Sequence, residues 1–162
     1  MDIGQRLERA LTLSGFLRQT LRSPDAEHPS LLESVLEVAD STITYRSRYN
    51  LLPHLMAVYD LVLLDDTNPR SLLFQLIQLQ RHFEKLPGHG VYPLPAPDER
   101  LLLEAATRVR LLDPRELAKR SAHLADSETM RTLDFVLKTL PQISEILAVN
   151  YFSHSRISWI HA

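Results

Sequence analysis

The chain has 162 residues, 44% hydrophobic and 23% charged, with a formal net charge of −2 and an isoelectric point near 6.4. That length and balance suit one globular domain with a real core, and the near-neutral charge argues against nucleic acid or an anionic membrane surface as a partner. Cysteine is absent, which excludes disulfides, thiol catalysis and cysteine-ligated zinc. No run approaches the roughly 18 apolar residues of a membrane span, no signal-peptide core opens the chain, and a cytoplasmic location is the expectation.

Nearly every segment reads as helix, and strict period-two alternation is absent. The first helix is expected from about Asp2 to Arg22, with Ile3, Leu7, Ala10, Ser14, Leu17 and Leu21 on one stripe at spacings of three and four, and Ser23–Pro24 as its end. A second is expected from Ser30, where Ser30 and Glu33 fit a capping box, to about Arg48. Pro53 opens a third, running to about Leu64 and apolar on every side, which marks a central helix. Asp65–Asp66–Thr67–Asn68–Pro69 is a break and restart, with Asn68 as N-cap and Pro69 as the first residue of a fourth helix to about Leu86. After the turn-rich LPGHGVYPLPAP, a fifth helix is expected over Asp98–Leu112. A sixth opens at Asp113–Pro114, and a long seventh runs from Ser127–Glu128 to Phe152, kinked or split by Pro141. Six to seven helices with short connections predict an antiparallel all-α bundle.

The charged residues raise sharper questions. Glu8 and Arg9 are sequence neighbours on the first helix, so they point in different directions and each needs a separate partner. Gly4 and Gly15 share the Glu8 face, where small residues leave room for a close approach. On the second helix the apolar series Leu31, Leu32, Val35, Ala39, Thr42 continues to Arg46 and Tyr49, which places Arg46 on the core side. A buried guanidinium needs an acidic partner, with Glu8, Asp60 and Asp65 as candidates. The preferred pair is Glu8–Arg46, with Tyr45 or Tyr49 adding a hydroxyl. That pair reads either as a helix clamp or as the wall of a polar pocket in which Arg46 meets a carboxylate or phosphate. In DDTNPRS, residues 65–71, Asp65 and Asn68 read as helix punctuation, or with Arg70 as an anion site at a helix start.

Other chemistries lack support. The seven histidines are scattered, and no metal-ligand spacing, P-loop, dinucleotide fingerprint or nucleophile elbow is present. No cofactor, metal or catalytic residue is therefore expected. The C-terminal aromatics Tyr151, Phe152 and Trp159 read as core.

DIGQRLERAL, TYRSRY, LLDDTNPRSLLFQL, LPG and NYFSH, in this order, resemble the alpha-E domain, a bacterial all-helical family known for a Glu-Arg pair. Glu8 and Arg9 fall on that pair, while Gln5 stands where the family more often has Arg. The resemblance implies a domain about twice this long, of which residues 1–162 look like the C-terminal half. It also implies fusion to a circularly permuted ATP-grasp domain that performs an amide-forming ligation, and genomic proximity to transglutaminase-like proteins. Three functional readings follow. The first is a non-catalytic accessory or binding domain of a peptide or amide ligase system, with Glu8, Arg9, Arg46, Tyr45, Tyr49, Asp65 and Arg70 lining a polar site. The second is a structural interaction module clamped by Glu8–Arg46. The third, with Glu8 as base and an arginine as anion clamp, has the thinnest support. The expected partners are the missing N-terminal half and the ATP-grasp domain, and exposed apolar faces predict self-association of the fragment.

Overall fold

In a computed structural model the described residues are 3–50, 52–87, 94–119 and 121–152. They form eight α-helices and no strand: α1 (Ile3–Arg22), α2 (Pro29–Val38), α3 (Thr42–Tyr49), α4 (Leu55–Tyr59), α5 (Leu72–Phe83), α6 (Pro97–Arg110), α7 (Arg115–Lys119) and α8 (Glu128–Phe152). A π-helical turn, Asp60–Leu64, continues α4, and a 3₁₀ segment, Ser121–Asp126, leads into α8. The expected all-α bundle is the observed one.

Four helices make its centre. α1 packs on α5 and α8, and α6 packs on the same two, which closes a ring. Arg18 of α1 pairs with Asp134 of α8, while Gly15 faces Leu137. Residue numbers thus fall on one helix as they rise on the other, so α1 and α8 run antiparallel. Leu17, Leu21, Leu72, Leu76, Leu79, Leu102, Val109, Leu133, Val136 and Leu140 fill the interior, each contributing roughly 1.5–3 kcal/mol by leaving water. α2, α3 and α4 cover one side, with α2 against α1, α3 and α4. Tyr59 binds this layer to the ring: its buried hydroxyl donates to the Leu17 carbonyl at 3.1 Å, and burial pushes its pKa well up.

The helix boundaries depart from expectation in four places. The expected second helix is two. α2 stops at Val38, Asp40 turns left-handed (φ 48°), and Ser41 stands as N-cap of α3. α2 starts at Pro29 and is capped by His28, whose Nδ1 accepts the Ser30 N–H at 3.3 Å, rather than by Ser30, because the fixed φ of proline suits the first helical position. α5 begins at Leu72, with Ser71 Oγ accepting the Phe74 N–H at 3.1 Å, so Asn68 and Pro69 precede the helix instead of opening it. Pro141 does not split α8. Gly88, His89 and Gly90 of the turn-rich loop, His154, His161 and Trp159, and the side chains of His123, Tyr151 and Phe152, lie outside the described residues.

The two α1 glycines are not demanded by packing among the described residues. A Cβ on Gly4 meets nothing within 4 Å, and one on Gly15 meets only Leu137 Cδ2 at 3.9 Å, an ordinary contact. Gly15→Ala is therefore expected to raise stability by about 0.5–1 kcal/mol, read by chemical denaturation. A loss of stability would show that Gly15 is needed within this fold.

Candidate functional site

The first half of α1 forms one wall of an open cleft of about 410 Å³ with Gln5, Glu8, Arg9 and Thr12; the α2–α3 corner adds Val38, Ala39 and Asp40, and Arg70 comes from the loop before α5. Local chemistry builds each wall. The left-handed Asp40 turns its carboxylate to Arg70, 2.7 Å from Nη2. Ser41 is fully buried; its hydroxyl donates to the Ala39 carbonyl at 3.1 Å and accepts from Asn68 Nδ2 at 3.2 Å. Asn68 Nδ2 also donates to the Leu61 carbonyl at 3.0 Å, and Asn68 Oδ1 accepts the Arg70 N–H at 3.1 Å. One buried asparagine thus ties the α2–α3 corner, the π turn and the Arg70 backbone together.

Glu8 is exposed and Arg9 half-buried. Glu8 has no ion pair with any described residue, nor has Arg9. The neighbouring Arg6 is used differently. Its Nη1 donates to Gln75 Oε1 at 3.1 Å, its guanidinium lies 6.0 Å from the Phe74 ring centroid, and Gln75 Nε2 donates onward to the Pro69 carbonyl at 2.6 Å. Burial first, then the Arg9 charge, draws the Arg6 pKa down.

The expected Glu8–Arg46 pair is not formed. Arg46 is exposed and lines a separate cleft of about 330 Å³ with Glu33, Tyr45 and Leu52. The reason is the break at Asp40: the α2 apolar series does not carry into α3, so Tyr45 turns to the core and Arg46 turns out. Tyr45 donates to the Leu52 carbonyl at 3.3 Å and accepts the His54 N–H at 3.4 Å. Tyr49 stacks on Tyr45 with ring centroids 4.9 Å apart and donates to Asp60 Oδ2 at 3.2 Å. Asp65 is taken by Arg48, two residues beyond Arg46, and by the Thr67 amide (2.9 Å) and hydroxyl (2.6 Å). Of the seven expected site residues, the fold brings together Glu8, Arg9 and Arg70. Asp40 and Thr12 complete the cleft without having been anticipated; the ADST run was a turn signal, but its pairing with Arg70 is a tertiary fact.

Burial alone would raise the Asp65 carboxyl, but the hydrogen bonds from Thr67 and Arg48, with the Arg48 charge, hold it below its ordinary value. A carboxyl depressed on folding stabilises the folded state above its unfolded pKa of about 3.9 and loses that contribution as pH falls through the folded value. The melting temperature is thus expected to fall on acidification below about pH 4, and Asp65→Asn to flatten that fall in circular-dichroism melts. Equal slopes in both proteins would remove Asp65 as a cause.

The chain carries Glu-Arg twice, at Glu8–Arg9 and Glu99–Arg100. Glu99 is occupied at the start of α6, where its Oε2 accepts the Ala96 N–H at 2.7 Å. The Alpha-E family model, "a predicted alpha-helical domain with a conserved ER motif", matches residues 1–152. The chain belongs to the Alpha-E family. Uncharacterized protein Rv2567 of Mycobacterium tuberculosis and Uncharacterized protein Mb2597 of Mycobacterium bovis are each 36% identical to it over 150 residues, 91% of this chain. The same 150 residues are 16% of either relative, so this Alpha-E chain spans about one-sixth of the length of the curated relatives it matches. No solved structure matches it. Among the described residues no cluster of His, Asp or Glu is placed to hold a metal ion, and no helix is long and apolar enough to cross a membrane.

Proposed function

We propose that this Alpha-E domain is a non-catalytic accessory domain of a cytoplasmic ATP-grasp-type peptide or amide ligase system, and that its Glu8–Arg9–Arg70 cleft holds the acceptor, the product or a partner segment. The observation that carries the binding part is the state of the Glu-Arg pair: one acid and one base, neither joined to another described charge, on the wall of an open cleft. A free carboxylate receives an ammonium or amide N–H, and a free guanidinium receives a carboxylate through its planar fork. Together they suit the amino and carboxyl groups that amide ligation joins. Arg70, half-neutralised by Asp40, supplies a second cation that a stronger anion can recruit. The ligase context rests on the resemblance of the DIGQRLERAL stretch to alpha-E regions fused behind ATP-grasp domains. The much greater length of the mycobacterial relatives leaves space for such a domain. In this reading residues 1–162 form one helical domain, the C-terminal half of a longer Alpha-E domain. The N-terminal half and the ATP-grasp domain of the same polypeptide, with a transglutaminase-like protein beyond it, are the partners.

The purely structural reading loses the Glu8–Arg46 clamp on which it was built. The deciding experiment is ATP-dependent amide formation by the full-length polypeptide carrying Glu8→Gln or Arg9→Gln, alongside its melting temperature. A polypeptide that makes no amide bond from ATP overturns the ligase context, and unchanged turnover in both variants overturns the site.

A further inference from the structure

A second cleft, of about 670 Å³, opens between the α3–α4 corner and the segment joining α6 to α7. It shares no lining residue with the Glu8–Arg9 cleft, and its volume is in the range of small-ligand pockets. Met56, Ala57, Leu112 and Pro114 give it apolar walls. Its charges are accounted for one by one, and a single anion is left over. Asp113 and Arg115 neutralise each other, with Arg115 Nε 2.9 and 3.1 Å from the two carboxylate oxygens. His54 Nδ1 accepts the Ala57 N–H at 3.4 Å, so in the neutral ring the proton is on Nε2, which remains a donor.

Asp60 is the remainder. It is half-buried, and Tyr49 donates to its Oδ2 at 3.2 Å. Burial, then the Asp60 charge and that hydrogen bond, raise the Tyr49 pKa, which keeps the phenol protonated as a donor. No cation pairs with Asp60 among the described residues, and Arg48 of α3 is engaged by Asp65 and Thr67. A carboxylate partly out of water gains from a cationic partner. Asp60 also opens the π turn, a local geometry found often at functional sites.

We propose that this cleft binds an alkylammonium group, the cation against Asp60 and the hydrocarbon chain along Met56, Leu112 and Pro114. The His54 Nε2–H is left to donate to a carbonyl further along the ligand. The group can belong to a free amine or to a lysyl side chain. The test is a calorimetric or NMR titration of the 162-residue chain with pentylamine and, separately, with pentanol. Pentylamine is expected to saturate the cleft with at least about tenfold higher affinity than pentanol, and Asp60→Asn to erase that preference while leaving pentanol binding as it was. Equal affinity for amine and alcohol in the unaltered chain overturns the proposal, and this comparison stands even where Asp60→Asn folds poorly. Cadaverine and Nα-acetyl-lysine methylamide then separate the sources. Tighter binding of the lysyl compound assigns a protein side chain, tighter binding of cadaverine assigns a free amine, and binding of neither overturns the proposal.

Discussion

Asn68→Ala is expected to lower the stability of the domain by about 3 kcal/mol. Only 4% of Asn68 is exposed, and its amide makes three bonds to three different segments: Nδ2 to the Leu61 carbonyl and to Ser41 Oγ, and Oδ1 from the Arg70 N–H. Alanine removes all three and leaves the partners in a space that water does not freely enter. Each buried polar group stranded this way costs about 1–3 kcal/mol. Ser41 retains its bond to Ala39, which keeps the sum near the lower end. For a domain of this size the loss corresponds to a fall of roughly 6–12 °C in melting temperature. Asn68→Asp tests the same bridge with almost no change of shape. It turns the donor into an acceptor facing the Leu61 carbonyl, so it is expected to be at least as destabilising near neutral pH and to recover in part as the carboxyl protonates. Denaturant titration reads both variants. A change under about 1 kcal/mol for Asn68→Ala would show that the corner holds without the bridge.

Glu8→Gln and Arg9→Gln are expected to reduce ligand-dependent turnover in the full-length polypeptide by about 10–100-fold each, the scale of a lost charge-assisted hydrogen bond of about 1.5–3 kcal/mol. Stability should hardly move, because neither side chain forms an ion pair within the described structure and Glu8 is exposed; exposed substitutions of this kind usually change stability by less than about 0.5 kcal/mol. That split distinguishes a binding pair from a structural one. A structural pair would lower the melting temperature and spare the turnover of the molecules that remain folded. Arg70→Gln provides the graded comparison. Arg70 already has Asp40 beside it, so its loss should weaken anion binding less than loss of Arg9, and it frees the Asp40 carboxylate to repel an anionic ligand. Turnover unchanged from the unaltered polypeptide in all three variants would leave the cleft without a role in ligation.

Much of the architecture was legible in the residue pattern. The stripe Leu7, Ala10, Ser14, Leu17, Leu21 is on the buried face of α1, and the apolar-all-round segment before Asp65 is α4 and the π turn, whose apolar residues are buried except Met56 and, in part, Leu64. Such patterns survive because a helix must bury its apolar face whatever it packs against. The site was legible only in part. Glu8 and Arg9 drew notice through their neighbours, and Arg70 through DDTNPRS. Arg46 was placed wrongly because a helical wheel assumes an unbroken helix, and a single left-handed residue, Asp40, resets the wheel. Asn68 looked like a cap because a short polar side chain before proline usually is one. Beside the local Arg70 N–H, it reaches Ser41 and the Leu61 carbonyl, 27 and 7 residues away.

By itself, then, the amino-acid order determined that this Alpha-E chain is helical, where most helices lie, which faces they bury, and that an acid and a base stand side by side on the first of them. These are local matters of period, capping and proline, decided within a few turns of backbone. Only the tertiary structure decided which charges meet: Arg48 rather than Arg46 at Asp65, Asp40 at Arg70, and no described charge at Glu8. Ion pairs and clefts are made between segments distant in sequence, and their partners follow from how loops close and helices dock. A one-residue change of helix phase turns a side chain by about 100°, enough to move an arginine from one cleft to another.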